Sequence, residues 1–153
     1  MTPEQRLEKL GLVLPPCPVP VGNYIPYRIT GNLLYVSGQG PRQPDGTYKE
    51  GRLGLTMNIE QGYAEARITG LRLLAVCKEA LGELSRIEAV VKLLGMVNAE
   101  ASFGDHPKVI NGCSDLLVDV LGEAGRHARS AIGMNSLPSR MAVEIEAIFQ
   151  IKP

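Results

Sequence analysis

Three charged residues whose side chains could take part in binding or catalysis lie close together near the end of the chain. Arg129, Glu144 and Glu146 fall within the stretch ARSAIGMNSLPSRMAVEIEAI, residues 128–148. A guanidinium can bind a planar carboxylate through two parallel hydrogen bonds, and a carboxylate can orient a water molecule and accept its proton. The stretch also predicts two β-strands. Its periodicity alone favours an ordinary interpretation, in which the glutamates lie on a solvated face of a sheet.

The second of these strands is predicted to bury one face against helices. That face carries Met141, Val143, Ile145, Ala147, Phe149 and Ile151. The opposite face carries Ala142, Glu144, Glu146, Ile148 and Gln150. A face that mixes carboxylates with isoleucine is typical of a wet subunit interface, so we expect it to be solvated or to contact another subunit.

The N-terminal part of the chain predicts an arm followed by a hairpin. Residues 1–21 comprise a short amphipathic helix and a proline-rich segment, which should be extended because proline disfavours both helices and central strands. Residues 27–30 and 33–37 are rich in strand-forming side chains. Gly31-Asn32 between them predicts a two-residue turn of type II′.

Two longer helices and a strand follow. Asn58 and Gln61 have the spacing of a capping box at the start of the first helix. Apolar residues then recur at intervals of three and four: Ile59, Tyr63, Ala66, Gly70, Leu74, Cys77 and Leu81. A mostly apolar strand is predicted over residues 86–99, and Asp105 or His106 can cap the second helix.

The predicted element order is ββ-α-β-α-ββ. We find no internal repeat or linker, so residues 1–153 are expected to form a single domain. Two helices with one apolar stripe each can cover only one face of a sheet. The sequence therefore predicts an α+β fold: a two-layer sandwich whose mixed, six-strand-type sheet is covered on one face by two helices.

Composition argues against several classes of partner. The formal net charge is zero, with 16 basic and 16 acidic residues, and no basic run that would favour nucleic acid. No stretch approaches the roughly 20 apolar residues that a membrane span requires. The N-terminus lacks the apolar core of a signal peptide. We therefore expect a cytoplasmic protein that binds neither nucleic acid nor membranes.

The cysteines and histidines do not predict a metal site. Cys17, Cys77 and Cys113 are far apart in the sequence and odd in number, and His106 and His127 are the only histidines. This pattern matches neither a disulfide framework nor a zinc motif. Cys77 and Cys113 lie on helical apolar stripes, which favours the role of small buried hydrophobic residues. We expect no metal and no cofactor.

Two motifs together resemble the YjgF/RidA family, the reactive intermediate deaminases formerly called L-PSP endoribonucleases. The family's C-terminal motif corresponds to Ala128-Arg129-Ser130, Leu137-Pro138 and Glu144-Ile145-Glu146-Ala147. Its early motif, a strand ending in S-G-Q and followed closely by proline, corresponds to Ser37-Gly38-Gln39 and Pro41. The resemblance extends from about Gly22 to the C-terminus and leaves the N-terminal arm outside.

The resemblance implies a chorismate-mutase-like fold and a homotrimer with a small-molecule cleft at each subunit junction. It implies hydrolysis of reactive 2-imino or 2-enamino acids to 2-oxo acids and ammonia, without a cofactor. Arg129 matches the family arginine that binds the substrate carboxylate, and Glu144 matches the glutamate that positions the attacking water. The alternatives are a surface salt bridge for Arg129 and a solvated strand position for Glu144.

The resemblance also implies a set of substrate-binding residues: Tyr24, Ser37, Gly38, Asn111 and Ala131. Tyr27 competes with Tyr24 for the role of the cleft tyrosine. Asn111 matches a family asparagine by its separation from Arg129, although it can equally be a polar residue on the surface of a helix.

The chain departs from the family pattern at two positions near Arg129. Ala131 replaces a frequent cysteine and His127 a frequent proline; His127 can tune the site or lie on its rim, and we favour the rim. The polar excursion over residues 41–54 and the N-terminal arm are expected to narrow the cleft. Together these departures suggest a subgroup with a different substrate. A second hypothesis is a non-catalytic protein that binds a 2-oxo acid. Endoribonuclease activity is a third and weaker hypothesis.

Overall fold

A computed structural model of the chain describes residues 1–153. Its α-helices are α1 (Pro3–Lys9), α2 (Ile59–Leu81) and α3 (His106–Leu121). Its strands are β1 (Tyr27–Thr30), β2 (Leu33–Gln39), β3 (Ile87–Asn98), β4 (Ala128–Met134) and β5 (Val143–Ile151). Short 3-10 turns lie at Leu84–Arg86, Gly122–Gly125 and Pro138–Arg140.

The strands form one mixed sheet in the order β1-β2-β5-β3-β4. All neighbours are antiparallel except β3 and β4, which are parallel. The predicted mixed sheet and element order are confirmed, but the six-strand-type sheet is wrong, because the sheet has five strands. The excursion 41–54 adds only isolated bridges, such as Arg42 with Tyr48. Pro41 and Pro44 lack the N–H donors that a continuous strand would need.

Local sequence signals produce the expected turns and caps. Gly31 adopts a φ of 57°, which the first position of a type II′ turn requires. The Asn58 side chain accepts a hydrogen bond from the Gln61 backbone N–H at 2.8 Å, and the Gln61 side chain accepts one from Asn58 N–H at 2.9 Å. Asp105 is the N-cap of α3, but its side chain makes no capping hydrogen bond.

Helices α2 and α3 pack against one face of the sheet. The apolar side chains between these layers belong to one cluster of 29 buried residues. The predicted inward set of β5, from Met141 to Ile151, is buried throughout. Glu144 and Ile148 are half-buried and Glu146 is exposed on the other face, whereas Ala142, which precedes the strand, is also buried.

The N-terminal helix is anchored to the body of the protein. Leu7 is 5% exposed and belongs to the main apolar cluster. The Glu4 carboxylate accepts hydrogen bonds from Lys78 Nζ at 3.0 Å and from the Leu84 backbone N–H at 2.8 Å. These contacts fix the origin of the proline-rich arm that runs from α1 to β1.

The excursion 41–54 is held against α2 by two charged side chains. Arg72 donates hydrogen bonds to the Gly40 carbonyl, which immediately precedes the excursion, and to the Tyr48 hydroxyl, each at 3.1 Å. The Glu65 carboxylate is buried beside Lys49, at 3.8 Å. Burial raises the pKa of Glu65, and the Lys49 charge opposes that rise.

Cys77 and Cys113 are buried in the helical layer, as predicted, and no disulfide forms. Burial raises the pKa of Cys113 to about 12, which leaves it a neutral thiol. None of the helices combines the length and apolar character that a membrane crossing requires.

Candidate functional site

A β-bulge in β2 lies next to the Glu144 side chain of the neighbouring strand β5. Between Val36 and Gln39 the register with β5 shifts, so that β2 carries one extra residue. Gly38 lies within this bulge, directly against the Glu144 carboxylate. A Cβ atom at Gly38 would lie 3.0 Å from Glu144 Oε2, so the absence of a side chain is what lets the carboxylate approach the backbone.

The Glu144 carboxylate has no hydrogen bond or ion pair to the protein. It is half-buried, and burial raises its pKa, with a further contribution from the negative charge of Glu146 two residues along the same strand face. A carboxylate that is partly desolvated and unpaired takes up a proton readily. A raised pKa makes a carboxylate a better proton acceptor once it is ionised.

A cavity of about 230 Å³ opens beside Glu144. Its walls include residues 18–21 of the proline-rich arm, Tyr24, and Tyr48 from the excursion. Arg72 of α2 reaches the same cavity. The arm and the excursion therefore both border the space next to Glu144.

Strained backbone borders this cavity. Ser139 and Arg140 have φ values of 56° and 53°, in the left-handed region that non-glycine residues rarely adopt. The Arg140 carbonyl accepts a hydrogen bond from Gly51 N–H at 3.1 Å, and Met141 bridges to Glu50. The excursion thus holds the turn before β5 in this conformation, and strain of this kind often marks a functional site.

Ser37 and Tyr27 lie near the Glu144 cavity but do not line it. The Ser37 hydroxyl donates a 2.7 Å hydrogen bond to the Ile25 carbonyl, which ties the end of the arm to β2. Both residues line a larger cavity of about 540 Å³ on the helix-free face of the sheet. Tyr24 lines both cavities and is 49% exposed, so the geometry favours Tyr24 over Tyr27 as the neighbour of Glu144.

Arg129 lies at a different place, where the edge strand β4 meets α3. Its Nη1 donates to Ser114 Oγ at 3.0 Å, and its Nη2 donates to the Pro107 carbonyl at 3.2 Å. No carboxylate pairs with it. Two hydrogen bonds therefore orient the guanidinium and leave its positive charge without a protein counter-ion.

His127 completes the hydrogen-bond network around Arg129. Its Nδ1 lies 2.7 Å from the Gly125 carbonyl, which can only accept, so Nδ1 carries the proton. Burial lowers the pKa of His127, as does the nearby Arg129 charge, which favours the neutral ring. Nε2 is then an acceptor, and the Ser114 hydroxyl donates to it at 2.9 Å while accepting from Arg129. His127 is thus part of the hydrogen-bond network that orients Arg129.

Asn111 and Ala131 lie on the Arg129 side of the molecule. Asn111 is half-buried on α3, four residues after Pro107 and three before Ser114, so it shares the helix face that Arg129 contacts. Ala131 follows Arg129 by two residues on β4 and packs against the core. Its backbone pairs with Gly95 in the parallel ladder, a contact that does not depend on which side chain the position carries.

Arg129 and Glu144 do not meet within one chain. Arg129 on β4 pairs with Leu93 on β3, and Leu93 pairs with Ala147 on β5. The side chain of Ala147 faces the helices. Glu144 is three residues from Ala147 and faces the other way. Two strand spacings and three residues of rise separate the two backbones by about 14 Å. The predicted residues therefore fall into two groups, one with Glu144, Gly38 and Tyr24, and one with Arg129, Asn111 and Ala131. Ser37 is next to Gly38 but lines the larger cavity.

Arg72 and Tyr48 line the Glu144 cavity but were not predicted from the sequence. A signal for Arg72 was present, because its helical neighbours Ile68, Ala75 and Val76 are apolar and mark the position as buried. No comparable signal existed for Tyr48. Its position depends on how the excursion folds back, which local sequence does not specify.

No group of three or more histidine, cysteine, aspartate or glutamate side chains is placed to share a metal ion. The chemistry that the arrangement can perform is that of a carboxylate, two arginines and water. A partly desolvated carboxylate can move a proton, and an arginine with free donors can hold an anion.

A family model described as "YjgF/chorismate_mutase-like, putative endoribonuclease" matches residues 4–146. The match includes the N-terminal helix and arm. Our prediction that the first 20 or so residues lie outside the resemblance is therefore wrong. The docking of Leu7 and Glu4 on the body of the protein gives the structural reason, since the arm is part of the packed fold.

Similar proteins come from distant organisms. Protein TCP17 of Trypanosoma cruzi is 41% identical over 147 residues, which are 95% of this chain and 92% of that protein. The crystal structure of Atu1372 from Agrobacterium tumefaciens, a protein of unknown function, has a TM-score of 0.89 and 44% identity, and covers 98% of this chain and 92% of its own. The crystal structure of RidA from the Antarctic bacterium Psychrobacter sp. PAMC 21119 has a TM-score of 0.60 and 26% identity. The match covers 88% of this chain and 94% of the RidA chain.

Proposed function

The chain belongs to the YjgF/chorismate-mutase-like family, and we propose that it hydrolyses reactive 2-imino and 2-enamino acids to 2-oxo acids and ammonia. The observation that carries the proposal is the Glu144 carboxylate, which is unpaired, half-buried and bordered by a cavity that a small acid can enter. The motifs around Arg129 and Glu144 are those that resemble the deaminases of the family.

The reaction requires little beyond positioning and one proton acceptor. Water adds to the imine carbon, a C–O bond forms, and the C=N electron pair moves to nitrogen, which takes up a proton. The proton of the new hydroxyl then passes to the nitrogen, the C–N bond breaks, ammonia leaves with the bonding pair, and the C=O bond forms. A 2-enamino acid first becomes the imine by gaining a proton at C3 and losing one from nitrogen. In the proposed mechanism Glu144 accepts a proton from the attacking water and returns it to the nitrogen, and a raised pKa suits both steps.

Arg129 is proposed to bind the substrate carboxylate. Its guanidinium is oriented by Ser114 and Pro107 and has no carboxylate partner in the protein, so a substrate anion can supply the missing charge. Because Arg129 and Glu144 of one chain lie about 14 Å apart on opposite faces, we propose that one active site uses Arg129 of one subunit and Glu144 of its neighbour in a homotrimer. Exposed apolar residues on the helix-free face, such as Tyr35 and Ile132, support an association through that face.

A coupled assay tests the activity. A pyridoxal-phosphate-dependent threonine dehydratase generates 2-iminobutyrate, semicarbazide traps it, and release of 2-oxobutyrate is followed with and without the protein. We expect wild type to accelerate release and Arg129→Ala to abolish the effect. The exposed Arg126, three residues away, provides the matched control Arg126→Ala, which should retain wild-type activity. Equal rates with wild type and Arg129→Ala would rule out this mechanism.

Mixed oligomers test the shared site. Arg129→Ala and Glu144→Gln are each expected to be inactive alone. If both variants are unfolded together, mixed and refolded, about a quarter of the junctions in random trimers combine an intact Arg129 with an intact Glu144 from the neighbour. We therefore expect about a quarter of wild-type activity to return. A site contained within one chain would give no recovery, and light scattering of the same samples reports the trimer directly.

Ribonuclease activity is the competing function, because the matching family and a similar structure from Shewanella oneidensis carry the description "putative endoribonuclease". A net charge of zero gives this chain little general attraction for a polyanion. RNA cleavage that persists after repurification and disappears in Glu144→Gln would favour that function. Ligand-induced stabilisation without any rate effect would instead indicate a non-catalytic 2-oxo acid binder.

A further inference from the structure

Arg72 is a buried cation without an anionic partner. It lies in the middle of α2, is only 6% exposed, and takes part in none of the ion pairs of the structure. Arg52 and Arg67 are more exposed, yet each of them pairs with a carboxylate. An arginine buried without a counter-ion is unfavourable unless its donors are satisfied in another way.

The hydrogen bonds of Arg72 leave one side of its guanidinium free. A guanidinium has five N–H donors, and both hydrogen bonds of Arg72 come from Nη1, to the Gly40 carbonyl and to the Tyr48 hydroxyl. Nε and Nη2 have no partner in the protein. No fully enclosed side-chain nitrogen or oxygen lacks a partner, so Nε and Nη2 each keep some accessible surface, and Arg72 is one of the residues that line the cavity. Nε and Nη2 together form the side of the fork that binds a carboxylate with two parallel hydrogen bonds.

The same cavity contains Glu144, and this links Arg72 to the proposed reaction. The two side chains do not form an ion pair, so Glu144 does not neutralise the arginine. The cavity measures about 230 Å³, which is below the usual range for drug-sized ligands. A small organic acid fits these dimensions better than a nucleotide does.

We propose that Arg72 is a second anion-binding subsite and that the substrate carries a second carboxylate, which makes it a 2-imino dicarboxylic acid. The inference rests on the proposed function, in which Arg129 holds the first carboxylate. Water adds to the imine carbon as before, and the products are a 2-oxo dicarboxylic acid and ammonia. Arg72 binds the distal carboxylate, away from Glu144, and so selects the substrate without taking part in proton transfer.

Binding measurements test the subsite without any need for catalysis. 2-Oxoglutarate and 2-oxovalerate have the same chain length and differ in the distal carboxylate. We expect calorimetric titration of wild type to show at least about tenfold tighter binding of 2-oxoglutarate, since a charge-assisted bidentate pair is worth more than one power of ten in affinity. Arg72→Met should remove this preference, and the ratio of the two affinities is the readout because Arg72 also holds the excursion that borders the cavity.

Two further variants keep the test decisive. Arg67→Met changes an arginine on the same helix that pairs with Asp119 and does not line the cavity, so the preference should remain. If Arg72→Met fails to fold, Arg72→Gln replaces it, because glutamine is neutral and keeps an N–H donor in the side chain. A wild type without preference, or an Arg72 variant that retains it, would overturn the inference.

Turnover separates this inference from the proposed function. Amino-acid oxidases generate 2-iminoglutarate from glutamate and 2-iminovalerate from norvaline, and kcat/KM is compared for wild type and Arg72→Met. A wild-type preference of tenfold or more that Arg72→Met loses supports both proposals. Equal hydrolysis of the two imines supports the deaminase and overturns the subsite. Preferential binding of 2-oxoglutarate without turnover of either imine supports the subsite and overturns the deaminase.

Discussion

The surroundings of Glu144 and those of Arg129 are built in opposite ways. Glu144 lies over the Gly38 bulge with no hydrogen bond or ion pair to the protein, and its pKa is raised by burial and by the Glu146 charge. Arg129 is fixed by two hydrogen bonds, and one of its acceptors, Ser114, is itself oriented by His127. One group is tuned by its environment and the other is held in place.

This difference corresponds to the two tasks in the proposed reaction. A proton acceptor must change its protonation state during turnover, and fixed hydrogen bonds to its charged form would lower its pKa and hinder that change. A carboxylate-binding arginine must keep one geometry, and pre-organisation reduces the entropy lost on binding. If the comparison is correct, variants of the first group should affect kcat and variants of the second group should affect KM.

Glu144→Gln is expected to have the largest effect. Glutamine keeps the size of the side chain but cannot accept the proton of water, so kcat should fall by a factor on the order of 10² to 10⁴. Steady-state kinetics with 2-iminobutyrate measure the loss. Glu146→Gln is the matched control on the same strand face. It should retain activity and shift the acid limb of the pH profile to lower pH, because the Glu146 charge contributes to the raised pKa of Glu144. Comparable losses in both variants would contradict the assignment of Glu144.

Arg129→Lys should give the next largest effect, and mainly on KM. Lysine preserves the charge but cannot form two parallel hydrogen bonds or reproduce the contacts with Ser114 and the Pro107 carbonyl. We expect kcat/KM to fall roughly 10- to 100-fold. Arg126→Lys, at an exposed position three residues away, controls for the loss of a guanidinium. A loss confined to kcat would mean that Arg129 acts on the reacting atoms and not on the ground-state carboxylate.

The fold was easier to predict from the sequence than the site was, for identifiable physical reasons. Strand alternation in β5 and the helical stripe of α2 directly encode which faces are buried, and the Asn58–Gln61 box encodes a helix start. The predicted element order contains the five strands that form, so the description of a six-strand-type sheet counted one strand too many, and the excursion 41–54 adds only isolated bridges that depend on tertiary packing. Local sequence carries no record of those contacts.

For the site, residue types were visible but distances were not. The motif containing Arg129 and Glu144 is short in sequence, yet the intervening strand order places the two residues on opposite faces of the sheet. The contact between Gly38 and Glu144 depends on the bulge in β2, and a bulge cannot be located from alternation alone. The link from His127 through Ser114 to Arg129 joins α3 to β4 across the fold, so no local pattern of residues could indicate it.

Gly38→Ala should have an intermediate effect that tests the Glu144 surroundings without changing their charge. The new Cβ atom would lie 3.0 Å from Glu144 Oε2 and 3.2 Å from its Cδ, so the carboxylate must shift by a few tenths of an ångström. We expect kcat to fall about tenfold because proton transfer depends steeply on placement. Gly104→Ala, where a new Cβ atom would meet no other atom within 4 Å, controls for the general cost of replacing glycine. Unchanged kcat in Gly38→Ala would show that the bulge does not position the carboxylate.

The smallest effect is on the pH dependence of stability, and here the two regions should respond in opposite directions. Burial lowers the pKa of His127 in the folded state below 6.5, so the unfolded chain binds protons more readily. Its contribution to stability is present above pH 6.5 and is lost as the pH falls through the folded pKa. Glu144 has a folded pKa raised above 4.5, so the folded state binds protons more readily, and stability falls as the pH rises from 4.5 through that pKa.

Urea unfolding of wild type, His127→Gln and Glu144→Gln at several pH values between 4 and 8 checks these signs. On lowering the pH, the free energy of unfolding of wild type should decrease relative to His127→Gln and increase relative to Glu144→Gln. Differences of the same sign for both variants would mean that the two groups are tuned alike, and the contrast between the two regions would then have no electrostatic basis. The sign at His127 bears on Arg129 directly, because a charged His127 would have to donate to the same Ser114 hydroxyl that accepts from the guanidinium.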